Sequence, residues 1–163
     1  MSTLVLVHVI ISLIGIVAGL VVMFAMLDSN RMSGMTAIFL ITTILTSATG
    51  LIIPPLITDK FLPSQAISIL SLILLAIACF ALYSKNLSGG WRWIYVVTAL
   101  ISLYFNCFVL VIQSFQKVPG LKDLVVNAPG APPSGPVFAV VQLIVLAFFA
   151  FMTYRAVKRF HPA

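Results

Sequence analysis

The stretch GGWRWIYVVTALISLYFNCFVLVIQSFQKVPG, residues 89–120, decides the fold. It opens on two glycines and the aromatic and basic residues Trp91, Arg92 and Trp93, and it ends in Val-Pro-Gly at 118–120. The apolar run between them is long enough to cross a hydrocarbon core, which takes about 20 helical residues. Aromatic and basic residues beside such a run mark the boundary between lipid and water. The stretch therefore predicts a membrane-spanning helix with both ends defined.

Polar side chains interrupt this apolar run at helical spacing: Thr98, Ser102, Asn106 and Gln113. Residues separated by four or seven positions share one face of an α-helix. Polar groups surrounded by hydrocarbon need hydrogen-bond partners, so this stripe is expected to face other helices.

The composition extends the same reasoning to the whole chain. Of 163 residues, 62% are hydrophobic and 7% are charged, whereas a soluble domain carries roughly 25% charged residues. The sequence therefore predicts an all-α membrane protein, a five-transmembrane-helix bundle in a single domain over residues 1–163. The predicted spans cover about 4–27, 35–53, 65–83, 91–115 and 137–154.

The longest connection, residues 116–136, contains five prolines. Its middle, LKDLVVN at 121–127, could form one or two helical turns on the membrane surface. The remainder, APGAPPSGP at 128–136, has the composition of an extended linker.

The basic residues predict an orientation. The side with the first loop, the third loop and the C-terminal tail carries six of them: Arg31, Lys85, Arg92, Arg155, Lys158 and Arg159. The other side carries three: Lys60, Lys117 and Lys122. The positive-inside rule then places the C-terminus in the cytoplasm and the N-terminus outside. Because these cations are spread singly along loops, the net charge of +6 predicts no nucleic-acid partner.

With this orientation, every span contributes hydrogen-bonding side chains to the outer half of the membrane. The candidates for a ligand pocket are His8, Thr46, Thr49, Gln65, Ser68, Asn106, Gln113 and Gln142. Two interpretations stay open. These groups are either interhelical hydrogen bonds, worth about 0.6 kcal/mol each, or an outward-facing polar pocket roofed by the Pro-rich loop, with His8 and Asn106 at its base.

Small residues predict close helix packing. Gly15 and Gly19 form a GxxxG motif in the first span, and Gly50 ends a run of threonine and serine in the second. GxxxG motifs let helix backbones approach each other, either within a chain or between protomers.

Catalytic signals are absent from the sequence. The aspartates Asp28, Asp59 and Asp123 all fall in predicted loops, and no nucleotide-binding, metalloprotease or paired-carboxylate motif occurs. The sequence therefore predicts no enzymatic role, no cofactor and no metal site.

The runs GGWRWIYVVTALISLYFNCFVLVIQSFQKVP at 89–119 and TTILTSATG at 42–50 resemble a group of small bacterial polytopic inner-membrane proteins. The resemblance covers the second to fifth spans. It implies a multi-pass protein of the bacterial inner membrane, and it carries no activity and no functional residue.

Three functions are compatible with these observations. The first is a non-enzymatic membrane protein, either an accessory subunit or a binder of an apolar or amphipathic molecule such as a lipid or quinone. The second is a small channel or carrier, which requires a homo-oligomer because five short helices barely enclose a path. The third is a membrane enzyme acting on a lipid or quinone through a cofactor that supplies the chemistry. The partners expected are the lipid bilayer and a homo-oligomer or larger membrane complex.

Overall fold

Five long helices make up most of the structure, a computed structural model that describes residues 2–54, 59–129 and 131–162. They are α1 Thr3–Leu27, α2 Ser33–Ile52, α3 Pro63–Cys79, α4 Trp91–Lys117 and α6 Pro136–Arg159, with a short α5 at Pro119–Lys122. A π-helical turn, Phe80–Ser84, continues α3. Each long helix, α3 taken with its π-helical turn, is long and apolar enough to cross a membrane. The prediction of an all-α, five-helix membrane bundle is confirmed, and the architecture is that of a multi-pass membrane protein.

Local chemistry sets several helix ends. The Ser2 hydroxyl accepts a hydrogen bond from the Val5 N–H at 3.2 Å and caps the start of α1. Pro63 begins α3, where its fixed φ suits the first helical position and its missing N–H costs nothing. At the C-terminal end of α4, the chain leaves the helix just before Pro119, because a proline cannot continue the hydrogen-bond ladder.

The last helix is longer than predicted. It continues past Tyr154 through the basic residues to Arg159. Basic side chains in a last turn interact favourably with the negative end of the helix dipole. The Arg92 guanidinium also donates hydrogen bonds to the carbonyl oxygens of Val157 (2.7 Å) and Phe160 (2.9 Å), so the final turn does not fray.

Neighbouring long helices pack in chain order and run antiparallel. α1 packs on α2, α2 on α3, α3 on α4 and α4 on α6, while α1 also contacts α4 and α6 and closes the ring. We call the end where α1, α3 and α6 begin (Thr3, Pro63, Pro136) the polar end. The end where they finish (Leu27, Ser84, Arg159) is the basic end.

The apolar core lies nearer the basic end. Its largest fully buried side chains include Met23, Met26, Phe39, Tyr95 and Phe160. Toward the polar end, no residue of α1 between 4 and 14 and none of α4 between 104 and 114 is fully buried. These segments of α1 and α4 are therefore less enclosed by the other helices than the core is.

Among its described residues, the long loop contains one helical turn and one isolated β-bridge. Its helical turn is Pro119–Lys122, earlier than the predicted LKDLVVN segment. Val126 and Ser134 form an antiparallel bridge through two backbone hydrogen bonds of 2.9 Å. Asn127 donates a hydrogen bond to the Phe115 carbonyl at 3.4 Å and so ties this part of the loop to α4.

Candidate functional site

A close seam between α1 and α2 sets the geometry of the bundle. A Cβ atom at Gly19 would lie 2.6 Å from Leu103 Cδ1 and 2.9 Å from the Phe39 ring. One turn closer to the polar end, a Cβ atom at Gly15 would lie 3.0 Å from Thr42 Oγ1 and 3.2 Å from Thr43 Oγ1. Both glycines of the GxxxG motif therefore lie at helix contacts inside this chain, where a larger side chain would force the neighbouring side chains to move.

Two turns further along the seam, three helices meet at what we call the His8 junction: His8, Thr49, Gly50 and Ser68. His8 Nδ1 lies 2.5 Å from Thr49 Oγ1. A Cβ atom at Gly50 would lie 2.7 Å from Ser68 Oγ and 3.8 Å from His8 Cε1. The absence of a side chain at Gly50 lets the serine of α3 approach α2 closely, whereas His8 lies at an ordinary contact distance.

The hydrogen bonds at the His8 junction define what it can bind. The Thr49 hydroxyl donates to the Leu45 carbonyl at 2.8 Å, so its oxygen is left to accept the Nδ1–H of His8. Neutral His8 then carries a lone pair on Nε2. This nitrogen has no hydrogen-bond partner among the residues that the structure describes. The half-exposed ring therefore offers a hydrogen-bond acceptor near the polar end.

Most hydroxyl groups in the spans bond to their own helix. Thr46 donates to the Thr42 carbonyl at 2.8 Å, and Ser102 donates to the Thr98 carbonyl at 3.0 Å. Such bonds to the preceding turn satisfy the hydroxyl without linking helices. These two side chains therefore provide little interhelical hydrogen bonding, and the same holds for Thr98, which donates to Ile94 at 2.7 Å.

Three buried polar atoms have no hydrogen-bond partner within the described part of the chain: Thr43 Oγ1, Asn106 Nδ2 and Gln142 Oε1. The other amide atom of Gln142, Nε2, donates to the Phe108 carbonyl at 3.2 Å and ties α6 to α4. A buried polar atom without a partner costs about 1–3 kcal/mol. Thr43 was missed by the sequence reasoning, although it lies seven residues before Gly50 and hence on the same helix face.

Helix contacts place Thr43 and Asn106 at similar depth. Leu103 and Phe39 both meet α1 at Gly19. Asn106 follows Leu103 by three residues and Thr43 follows Phe39 by four, so each lies about 5 Å nearer the polar end at 1.5 Å per residue. The Thr43 hydroxyl lies against Gly15 at this depth. The middle of the bundle thus holds polar atoms that the surrounding helices do not satisfy.

The remaining predicted residues lie in different surroundings. Gln65 Oε1 accepts a hydrogen bond from the Leu62 N–H at 2.8 Å, so this amide caps α3. A Gln at the third helical position is a known capping signal and could have indicated this role. Gln113 is half-buried, two turns beyond Asn106 on the same face of α4. Thr46 is buried and bonds to its own helix.

The Pro-rich loop forms a recess of its own, about 200 Å³ in volume. Its lining residues are Asp123, Leu124, Val125, Val126, Ser134, Gly135 and Pro136. All of them belong to the loop or to the first residue of α6. This recess is therefore distinct from the His8 junction and from the region around Asn106.

Sequence reasoning also missed the role of Arg92. The Trp-Arg-Trp cluster was interpreted as an interfacial anchor, yet the Arg92 guanidinium caps the last turn of α6. Two more contacts join the loops at this end. Arg31 donates to the Asn86 side-chain oxygen at 3.0 Å, and the His161 N–H donates to Ser29 Oγ at 2.8 Å. The basic end is therefore cross-linked by hydrogen bonds.

The described residues contain no group of three or more His, Cys, Asp or Glu side chains that could hold a metal ion. In comparisons with known proteins, no family model, no curated protein and no solved structure matches this chain. The candidate site is therefore argued from its own geometry.

Proposed function

We propose that the chain is a non-enzymatic integral membrane protein that binds an amphipathic small molecule, a lipid or a quinone-like compound, in the half of the bundle near its polar end. The proposal is carried by the three buried polar atoms without a partner. A molecule that supplies hydrogen bonds to them removes a cost of about 1–3 kcal/mol each.

The packing of this half supports the same proposal. In the half toward the polar end, residues 4–14 of α1 and 104–114 of α4 include none that is fully buried, although Phe115 beyond them is. A less enclosed region can admit a guest with less rearrangement than the close-packed core around Phe39 and Leu103. The lipid-facing side chains of the same segments, such as Leu6 and Ile10, are suited to contact an apolar tail.

The donor or acceptor character of the unpartnered atoms indicates which hydrogen-bonding groups the bound molecule carries. Asn106 Nδ2 is a donor and requires an acceptor, while Gln142 Oε1 is an acceptor and requires a donor. The Nε2 atom of neutral His8 is a second acceptor nearer the polar end. A head group with both a carbonyl or phosphoryl oxygen and a hydroxyl matches this set.

The orientation and location are part of the proposal. The basic end carries six of the nine Lys and Arg residues, which favours its placement in the cytoplasm. The guest then enters from the opposite leaflet. The resemblance of residues 89–119 to small bacterial proteins supports the inner membrane as the location.

The test is quantitative mass spectrometry of small molecules that remain with the purified full-length chain. Wild type is expected to retain one compound at near-stoichiometric level. His8→Ala and Asn106→Leu are expected to retain at least about tenfold less, equivalent to ~1.4 kcal/mol of binding free energy. His161→Ala is the matched control, because it removes the other histidine at the basic end.

Stability separates binding from a structural role. Replacing the unpartnered amide of Asn106 with leucine should leave the free energy of unfolding of the guest-free protein unchanged or higher. If Asn106→Leu lowers that free energy and the compound is still retained, the residue only joins helices and the proposal is wrong.

A further inference from the structure

Positive charge at the basic end is not balanced by carboxylates. Arg31, Lys85, Arg92, Arg155, Lys158 and Arg159 lie here, and of the three aspartates Asp28 lies here. Within the described residues, none of these six side chains forms an ion pair. The imbalance is a property of the folded end, because loops and helix termini distant in sequence bring the cations together.

The cations divide into two groups by their contacts. Arg31 and Arg92 hydrogen-bond to oxygen atoms of neighbouring segments and hold the end together. The other four side chains are exposed: Lys85, Arg155, Lys158 and Arg159. We call these four the exposed cations.

Three of the exposed cations lie beside aromatic rings. Lys85 Nζ is 5.5 Å from the centre of the Phe80 ring and 5.8 Å from that of Trp91. Arg155 and Lys158 lie 5.8 and 5.7 Å from the rings of Phe151 and Tyr154. Aromatic rings at this level of a spanning helix occupy the boundary between headgroups and acyl chains. Long basic side chains at such positions extend toward the lipid phosphates.

We propose that the exposed cations form a binding surface for anionic phospholipids. The aromatic rings Phe80, Phe151 and Tyr154 are themselves exposed, at 45%, 57% and 61%. A ligand that contacts both the cations and these rings must join an anionic group directly to an apolar chain. A phospholipid has this structure, whereas a nucleic acid or an acidic protein would leave the rings without an apolar partner.

The two elements that carry Lys85 and Lys158 both contact the start of α4. The Phe80–Trp91 contact brings the end of α3, with Lys85, to the start of α4. The Arg92 hydrogen bonds bring the last turn of α6, with Lys158, to the same start. Trp91 and Trp93 are the two tryptophans of the chain. They therefore report on lipid bound at this surface.

Quenching of tryptophan fluorescence by brominated lipids tests the proposal on the full chain in vesicles. Brominated phosphatidylglycerol is compared with brominated phosphatidylcholine. A cation near a membrane surface contributes up to about fivefold in affinity, so wild type should prefer phosphatidylglycerol by several-fold. The preference should fall at 1 M salt, where the screening length is about 3 Å.

The double variant Lys85→Gln/Lys158→Gln should lose most of this preference. Lys117→Gln/Lys122→Gln removes the same charge at the polar end and should keep it. Equal quenching of wild type by the two lipids would overturn the proposal without any variant being needed. Equal losses in the two double variants would also overturn it, because the effect would then come from net charge.

Discussion

Polar groups at the two ends of the bundle differ in where they find hydrogen-bond partners. At the basic end, polar groups find partners in other segments: Arg92 bonds to the carbonyls of Val157 and Phe160, and Arg31 bonds to Asn86. Toward the polar end, hydroxyls bond to their own helices, and three buried polar atoms have no partner among the described residues. The His8–Thr49 contact and the Gln142–Phe108 hydrogen bond are the exceptions there.

This difference separates stability from binding. Polar groups that are paired across segments fix the relative position of those segments. Buried polar groups that are left unpaired lower stability but become available to a guest. The close-packed core around Met23, Phe39 and Tyr95 lies on the side of the paired end. The basic half is therefore suited to hold the fold, and the opposite half is suited to bind.

The largest expected effect is at Arg92. Arg92→Met keeps an apolar stem of similar length but removes the donor of two charge-assisted hydrogen bonds. We expect the free energy of unfolding to fall by about 2–3 kcal/mol, measured by equilibrium unfolding in mixed detergent micelles.

Arg159→Met is the control for this prediction, because it removes an exposed charge from the same end. It should change the free energy by less than about 0.5 kcal/mol. Similar losses in the two variants would mean that the basic end is held by its overall charge, and the proposed role of Arg92 would be wrong.

Local sequence patterns predicted the architecture. Apolar runs with defined ends, such as the run between Trp91 and Pro119, were enough to place five spanning helices, because crossing a membrane imposes length and composition on each helix separately. The small residues Gly15 and Gly19 pointed to a close contact, which the structure places between α1 and α2.

Contacts between distant segments could not be predicted in this way. Arg92 bonds to residues 65 and 68 positions away, and no local pattern encodes that partner. The same contact lies at the end of the extension of α6 to Arg159. For Gln65 the sequence suggested a pocket residue, and the structure adds a local hydrogen-bond partner, the Leu62 N–H.

At Thr43 we expect the free energy of unfolding to change in the opposite direction from that at Arg92. Thr43→Val replaces the hydroxyl that has no partner with a methyl group of similar size. The free energy of unfolding should rise by about 1 kcal/mol, because the cost of a buried unpaired atom is removed. The measurement is the same unfolding equilibrium, made on guest-free protein.

Thr46→Val is the matched control, on the same helix and one turn away. Its hydroxyl already bonds to the Thr42 carbonyl, so its replacement should be close to neutral. A loss of stability in Thr43→Val would show that this hydroxyl is satisfied in the folded protein, and the contrast between the two ends would then be weaker.

The smallest expected effect is at the His8 junction. A double-mutant cycle with His8→Ala and Thr49→Val should give a coupling free energy of about 0.6 kcal/mol, typical of hydrogen bonds inside membrane proteins. A parallel cycle with Thr46→Val should give none, since Thr46 bonds to its own helix. A coupling near zero for Thr49 would leave the polar end without an interhelical tie between α1 and α2. A coupling above about 2 kcal/mol would make this end as firmly joined as the basic end, and a guest could then enter only by breaking it.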